Sequence, residues 1–232
     1  MMILRAAQDR GRAHFGWLKS AHTFSFGEYY DPRFMGVSAL RVINDDRVEP
    51  GAGFGTHGHS NMEIISFVLD GTIAHRDSMG NVAHLPAGEF QLMSAGRGVT
   101  HSEFNPSERD GLHFLQIWIQ PNEKNTEPGY QQKRFERTQA IQPVITPDGR
   151  DGTLKIRQDA RLLHIRLHNE AAEQPLDEQR TYYVHCIRGL LSLSAGEQTL
   201  VLQDGDGGAI KGEAALRAVS SDEAEALLFD LP

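Results

Sequence analysis

One pattern occurs twice in the chain and constrains the fold more than any other feature. The segment Val68–Leu92 (VLDGTIAHRDSMGNVAHLPAGEFQL) aligns with Cys186–Ala209 (CIRGLLSLSAGEQTLVLQDGDGGA). In each copy a strand-like run ends at a glycine, Gly71 or Gly189, and a hairpin pattern and the phrase L-x-x-G-[E/D] follow. The spacing between the two glycines of a copy differs by a single residue between copies. Such a repeat predicts two similar domains.

The repeat lies within a chain of short apolar runs that Gly, Pro, Asn and Asp separate. Five of these runs are SALRVIND, EIISFVLDG, TIAHRDSMGN, FQLMSAG and LHFLQIWIQP. Their Ile, Val, Phe and Leu content and turn-forming boundaries predict β-strands, and closely spaced strands without helices predict a sandwich or barrel. The later segment SSDEAEALLF has helical propensity, but we favour a turn followed by a final strand, ALLFDL. The sequence therefore predicts an all-β protein with two β-barrel halves.

The composition narrows the class of protein. With 232 residues and a formal net charge of −8, the chain is large enough for two small β-domains and lacks the basic surface that nucleic-acid binding requires. No apolar run approaches the roughly 20 residues of a membrane helix, and the start of the chain lacks the pattern of a signal peptide. The single cysteine, Cys186, fits a reducing compartment. We expect a cytoplasmic monomer that contacts neither membranes nor nucleic acid. The composition does not decide whether it has a protein partner.

Two histidine-containing segments in the first half have the spacing of metal ligands. GFGTHGHSNME places His57 and His59 at i and i+2, and AGRGVTHSEFNP places His101 and Glu103 at the same spacing. On a β-strand, residues i and i+2 point to the same face, so two such pairs can converge on one ion. Three imidazoles and one carboxylate suit a divalent ion such as Fe, Mn, Ni, Cu or Zn and leave coordination positions open. Open positions favour catalysis or ligand capture over a structural role.

The second half keeps the turns of the repeat and lacks these ligands. The positions equivalent to His57 and His101, counted from the repeat glycines, are Pro175 and Ala218. We therefore predict one metal ion per chain, in the first half.

The order of several motifs resembles a known family. G-x3-H-x-H-x3-E, followed by P-x-G and a histidine, looks like the paired motifs of the cupin superfamily. HTFSFGEYYDP, LRVINDD, GFGTHGH, HRDSMGN, QLMSAG and GVTHSE, in that order, closely resemble the pirin family, especially its bacterial members. The resemblance is dense from about Leu4 to Gln120 and covers the second half in outline.

The resemblance implies a two-domain cupin, a bicupin of two antiparallel β-barrels or jelly rolls. It implies a metal-binding domain over residues 1–125, with ligands at His57, His59, His101 and Glu103, and a degenerate domain without ligands over residues 126–232. It also implies flavonol (quercetin) 2,3-dioxygenase activity, as in some bacterial members, or a transcriptional cofactor role, as in animal members. We expect one divalent transition metal, Fe(II) first, with Mn, Ni, Co, Cu or Zn as alternatives.

Two positions need separate comment. Where the family usually has H-P-H, this chain has His57-Gly58-His59, which should loosen the backbone between the ligands. Many cupins use the glutamate of the first motif as a ligand, whereas the pirin resemblance gives that role to Glu103 and leaves Glu63 beside the site. His75 and Asp77 also have i, i+2 spacing, but we expect them to be exposed at a hairpin tip.

Three functions remain open from the sequence. The first is a dioxygenase acting on flavonols and O2, in which Glu103 is both a metal ligand and a proton acceptor and Glu63 is the fallback base. The second is a non-enzymatic metal-sensing or redox-sensing protein that regulates a partner. The third is a sugar-phosphate isomerase of the cupin type, for which the ligand segments offer few cations, mainly Arg97 and Arg41.

Overall fold

The computed structural model describes residues 1–232, and its regular secondary structure is almost entirely β-strand, which confirms the all-β prediction. Ten strands precede residue 105: β1 Met2–Arg5, β2 Gly11–His14, β3 Leu18–His22, β4 Leu40–Val48, β5 Gly53–His59, β6 Glu63–Asp70, β7 Thr72–Asp77, β8 Val82–Pro86, β9 Glu89–Ser94 and β10 Val99–Phe104. Ten follow: β11 Leu112–Ile119, β12 Gly129–Arg134, β13 Ile141–Thr146, β14 Leu154–Lys155, β15 Arg161–Pro175, β16 Thr181–Arg188, β17 Leu191–Ala195, β18 Gln198–Leu202, β19 Gly207–Lys211 and β20 Ala215–Leu231.

The remaining regular structure is two 3-10 turns, Ala7–Asp9 and Arg150–Gly152. Neither has the length or apolar character that a membrane-spanning helix needs. The segment SSDEAEALLF lies within β20, so the preference for a strand over a helix is confirmed.

The chain divides into two compact units. The N-terminal unit comprises Gly11–Phe135 and Ile156–Gln158, and the C-terminal unit comprises Met1–Arg10, Glu136–Lys155 and Asp159–Pro232. The first ten residues therefore belong to the C-terminal unit, where β1 pairs with β19 in antiparallel register. This division differs from the expected ranges 1–125 and 126–232, because β1 pairs with a strand about 200 residues away and β12 continues a sheet of the N-terminal unit.

The N-terminal unit contains two antiparallel sheets. One has seven strands in the order β12-β9-β6-β11-β4-β3-β2, and the other has four in the order β5-β10-β7-β8. Apolar side chains from both sheets pack between them. They include Val68 and Phe114 of the larger sheet and Ile73 and Leu85 of the smaller one, all buried. This packing explains the apolar runs of the sequence, since each run supplies one inward face.

The C-terminal unit forms a nine-stranded sheet with an apolar interior. Its main path is β1-β19-β16-β20-β15-β13-β14, and β17 pairs with both β18 and β20. Ala218, the position equivalent to His101, is fully buried in the apolar cluster of this unit. Pro175, the position equivalent to His57, ends β15.

The internal repeat corresponds to the same turn in both units. Gly71 joins β6 to β7 and Gly189 joins β16 to β17, with φ of 82° and 84°. A side chain is strained at such φ values, and a Cβ on Gly71 would lie 2.9 Å from the Gly111 carbonyl oxygen. In each unit the second glycine of the repeat donates its N–H to the residue three positions before the first glycine, at 2.8 Å: Gly88 to Val68 and Gly205 to Cys186.

Candidate metal centre

Two neighbouring strands of the smaller sheet bring three histidines together. β5 and β10 are antiparallel, and His101 lies directly opposite His57, while His59 lies opposite Val99. His57 and His59 share a face because strand side chains alternate. The three imidazole centroids are 4.5 to 5.0 Å apart. Each ring offers a nitrogen within 4.8 Å of the others, so the three can hold one metal ion.

A hydrogen bond to the backbone orients the His57 ring as a metal ligand. The Nδ1 atom of His57 is 2.8 Å from the Gly55 carbonyl oxygen, which makes Nδ1 the protonated nitrogen and leaves the Nε2 lone pair for the cluster. That Nε2 lies 3.2 Å from Nε2 of His101. The buried Nδ1 of His101 has no hydrogen-bond partner. Nitrogen atoms that face one another in this way fit a bound cation, since a metal ion satisfies several lone pairs at once.

The surroundings keep two of the histidines neutral, which is the form that binds metal. Burial, the largest cause, and the nearby imidazoles of His57, His59 and His75 together lower the pKa of His101 to about 3, although Asp77 opposes the shift. Burial and His57 lower the pKa of His59 to about 4. Neutral imidazole is the ligand form, so no proton has to be displaced from these rings at neutral pH.

Glu103 adjoins this cluster through His101. β10 has a bulge between His101 and Glu103, and the Glu103 carboxylate is buried between the two sheets. It accepts hydrogen bonds from the hydroxyl of Ser66 at 3.2 Å and the amide of Gln116 at 2.8 Å. Burial raises the pKa of Glu103, although the nearby histidines and these hydrogen bonds oppose the shift. Its carboxylate groups with His101 and His75 within 4.8 Å, so His101 is common to two potential ligand sets.

The expectation that His75 and Asp77 are exposed is wrong. Both side chains are fully buried, and His75 Nε2 lies 3.0 Å from Asp77 Oδ2. In the turn that follows them, Ser78 and Gly80 are exposed. Burial acts to raise the pKa of Asp77, but hydrogen bonds from Asn81 and His75 outweigh it and the pKa is lowered. The alternation along β7 could have indicated this burial. Ile73, His75 and Asp77 follow one another at i, i+2 spacing, so they share one face of the strand, and that face is buried.

Glu63 has other contacts. It is buried at the start of β6, where it accepts hydrogen bonds from the Ser94 hydroxyl at 2.8 Å and the Arg157 N–H at 3.2 Å. It belongs to neither of the two potential ligand sets.

A row of polar side chains crosses the buried face of the larger sheet and was not foreseen. Its members are in register on five adjacent strands: His22, Asn44, Gln116, Ser66 and Gln91. Hydrogen bonds link His22 to Asn44 at 2.8 Å and Ser66 to Gln116 at 3.1 Å. Buried polar groups usually have partners, and here Ser66 and Gln116 of the row hydrogen-bond to Glu103, whereas both polar atoms of the Gln91 side chain have no partner.

A cavity of about 470 Å³ opens beside these groups. One part of its wall is aromatic and includes Phe26, Phe54 and Trp118. Another part of the wall is polar and includes His22, Asn44 and Gln116 of the buried row together with Ser20, Asp46, His57, His59 and Glu103. An apolar cavity with a few convergent polar groups is typical of small-molecule sites.

The electrostatic state of Asp46 is unusual. Burial is the main cause of a rise in the pKa of its carboxyl to about 7; a hydrogen bond from Ser20 opposes the rise, and the charges of Asp45 and Glu103 contribute to it. Its Oδ1 is buried without a hydrogen-bond partner. The sequence marked this residue only as part of the LRVINDD motif.

Comparisons with known proteins agree with this geometry. The Pirin family model matches residues 4–119, and the model described as the quercetinase C-terminal cupin domain matches residues 143–231. The chain is 48% identical to a protein of Escherichia coli strain K12 named quercetin 2,3-dioxygenase, over all of this chain and 99% of that one. It is 39% identical to a pirin-like protein of Caulobacter vibrioides, over 99% of both chains.

Solved structures have the same fold over the whole chain. The crystal structure of Escherichia coli YhhW has a TM-score of 0.96 and 48% identity, covering 100% of this chain and 98% of that one. A second crystal structure, of the bacterial pirin YhhW in complex with nickel(II), has a TM-score of 0.95 at the same identity and covers 100% and 99%. The expected two-cupin architecture is therefore confirmed, and the chain belongs to the pirin family.

Proposed function

We propose that this protein is a metal-dependent dioxygenase that cleaves flavonols such as quercetin. The observation that carries the proposal is a cavity whose wall includes both aromatic side chains and His57, His59 and Glu103. A planar, hydroxylated aromatic molecule fits such a wall, and its hydroxyl groups can reach the ligand cluster. The full-length similarity to a protein named quercetin 2,3-dioxygenase supports this assignment.

The proposed ligands are His57, His59, His101 and Glu103, with one ion in the N-terminal unit. Fe(II) is the proposed metal, and the nickel(II) complex of YhhW makes Ni the first alternative. When bound, the divalent ion supplies a Lewis acid that lowers the pKa of a flavonol 3-hydroxyl group and a centre for reaction with O2.

The side chains of the site have separate roles. Phe26, Phe54 and Trp118 hold the flavonol rings and exclude water from the reacting face. A Glu103 carboxylate oxygen accepts the proton of the 3-hydroxyl group, because Glu103 is the carboxylate of the proposed ligand set and lines the cavity. Glu63 is a weaker candidate for this base, since Ser94 and Arg157 engage its carboxylate away from the cavity wall.

The assay compares protein reconstituted separately with Fe(II), Mn, Ni, Co, Cu and Zn. We expect loss of quercetin absorbance to match O2 uptake and release of carbon monoxide. The variants His57→Ala and His101→Ala should abolish this turnover. Normal metal binding without turnover by any of these ions would contradict the enzyme proposal and favour a metal-sensing regulator. Turnover that persists in both variants would mean that free metal performs the reaction.

We further propose that the protein is a cytoplasmic monomer and binds no nucleic acid. The net charge of −8 supports the second of these statements, because phosphate contacts require a basic surface. Sedimentation velocity and a gel-shift assay at low salt would test the monomer and the absence of nucleic-acid binding.

A further inference from the structure

Asp46 is a buried carboxylate in the wall of the cavity. On β4 it lies opposite Ser20 on one side and Phe114 on the other. Its side chain is 3% exposed, and its Oδ1 accepts no hydrogen bond from the protein. Asp46 is not a candidate metal ligand, since it belongs to neither potential ligand set.

A buried acceptor oxygen without a hydrogen bond destabilises the folded protein unless a donor pairs with it. A buried polar atom without a hydrogen bond lowers stability by about 1–3 kcal/mol, so folded proteins rarely retain one without a reason. Asp46 is also one of the residues that line the cavity. A hydroxyl group of a molecule bound in the cavity would supply the missing donor.

The sheet register places Asp46 away from the histidines. The His59 ring packs on Trp118 with centroids 5.1 Å apart, and Trp118 lies opposite Val42 of β4. Asp46 is four residues further along β4, about 13 Å in the strand direction. The polar row that holds Glu103 crosses β4 between these two positions, at Asn44. A three-ring flavonol is long enough to extend from the ligand cluster to Asp46.

We propose that Asp46 accepts a hydrogen bond from a hydroxyl group on a flavonol ring remote from the 3-hydroxyl group, and so selects polyhydroxylated flavonols. This inference rests on the proposed function, because it takes the reacting end of the substrate to lie at the histidines. Asp46 is a specificity-determining residue in this proposal, since it does not contact the reacting atoms. A site built to bind a substrate hydroxyl group discriminates against analogues that lack it.

The test compares two substrates in three proteins. Quercetin carries hydroxyl groups on the remote rings, and 3-hydroxyflavone carries only the reacting one. The variant Asp46→Ala removes the acceptor, whereas Asp45→Ala is the matched control, because Asp45 points to the opposite face of β4 and pairs with His113. Thermal unfolding and circular dichroism confirm that each variant is folded.

We expect Asp46→Ala to lower kcat/KM for quercetin by about 10- to 100-fold, mainly through KM, because remote binding contributes equally to ground state and transition state. Its kcat/KM for 3-hydroxyflavone and both values for Asp45→Ala should stay within about 3-fold of wild type. Asp46→Asn, which keeps one acceptor oxygen, should recover part of the loss. Equal losses on both flavonols, or no loss on either, would overturn the proposal.

Binding to metal-free protein separates this proposal from the dioxygenase assignment. Isothermal titration calorimetry measures the dissociation constants of quercetin and 3-hydroxyflavone without any turnover. Weaker binding of quercetin alone by Asp46→Ala supports the role of Asp46 even if no metal gives activity. Identical affinities in wild type and Asp46→Ala overturn it, and would mean that water satisfies Oδ1, even if the protein is an active dioxygenase.

Discussion

The amide of Gln116 donates to the carboxylate of Glu103 at 2.8 Å, from one sheet of the N-terminal unit to the other. This contact joins the buried polar row to the strand that carries His101. The Ser66 hydroxyl lies 3.2 Å from Glu103 Oε1 and 3.1 Å from Gln116 Oε1 and has one hydrogen for these two acceptors, so the carboxylate orientation depends on the larger sheet as well as on β10. The orientation of a proposed metal ligand is therefore set by two residues outside the ligand set.

Removing the Gln116 donor should loosen Glu103. We expect Gln116→Leu to weaken metal binding by about 10-fold, since partners of metal ligands contribute at that level. The unfolding free energy should fall by about 1.5–3 kcal/mol, the usual contribution of a hydrogen bond to a charged group. Competition with a chelator and urea denaturation measure the two effects. Gln179→Leu, at an exposed position, is the control, and equal effects of both substitutions would contradict the assigned contact.

Exchanging each glutamate for glutamine should distinguish Glu103 from Glu63. Glu103→Gln should weaken metal binding by at least about 10-fold, because a charged oxygen ligand becomes neutral. Glu63→Gln should retain about one ion per chain, because its carboxylate binds Ser94 and Arg157. Elemental analysis after dialysis gives both values. An empty site in Glu63→Gln with a full site in Glu103→Gln would favour the ligand pattern of general cupins.

Replacing His75 tests which of the two potential ligand sets holds the metal. If His57, His59, His101 and Glu103 are the ligands, His75→Leu should keep about one ion per chain with roughly 10-fold weaker binding. The variant should also be less stable by about 1–3 kcal/mol, because the buried Asp77 loses a hydrogen-bond donor. Metal content and thermal unfolding are the measurements. Complete loss of metal from a folded variant would instead place the ion between His75, His101 and Glu103.

The raised pKa of Asp46 should make stability depend on pH. The unfolded chain releases this proton near its ordinary pKa of 3.8, whereas the folded protein retains it up to about 7. Between these values the folded state binds more protons, so the contribution of Asp46 to stability falls as pH rises and is lowest above about pH 7. Asp46→Asn should therefore match wild type near pH 4 and exceed its unfolding free energy at pH 8 by on the order of 2–4 kcal/mol.

Urea denaturation of metal-free protein at pH 5, 6.5 and 8 measures this difference. The histidine cluster is present in both proteins, so its contribution cancels when the unfolding free energy of wild type is subtracted from that of Asp46→Asn. A difference that does not change with pH would show that Asp46 ionises normally in the folded protein.

The sequence by itself determined the strands, the repeat and the histidine pairs. Alternation and turn residues act within a few positions of one another, which is why Gly71, Gly189 and the spacing of His57 and His59 could be interpreted without coordinates. The convergence of His101 and Glu103 on the same ion as His57 and His59 was only a hypothesis at that stage. The register of β5 against β10 then put His101 directly across from His57.

The tertiary structure decided what depends on which strands become neighbours. His22, Asn44 and Gln116 form one row because β3, β4 and β11 are adjacent, although the residues are 22 and 72 positions apart in the chain. β1 joins the C-terminal unit because β19 offers it a sheet edge. The alternation of side chains along a strand predicts whether a residue such as Asp46 or His75 faces inward or outward. The free-energy cost of burying that residue depends on the hydrogen-bond partners that distant strands supply.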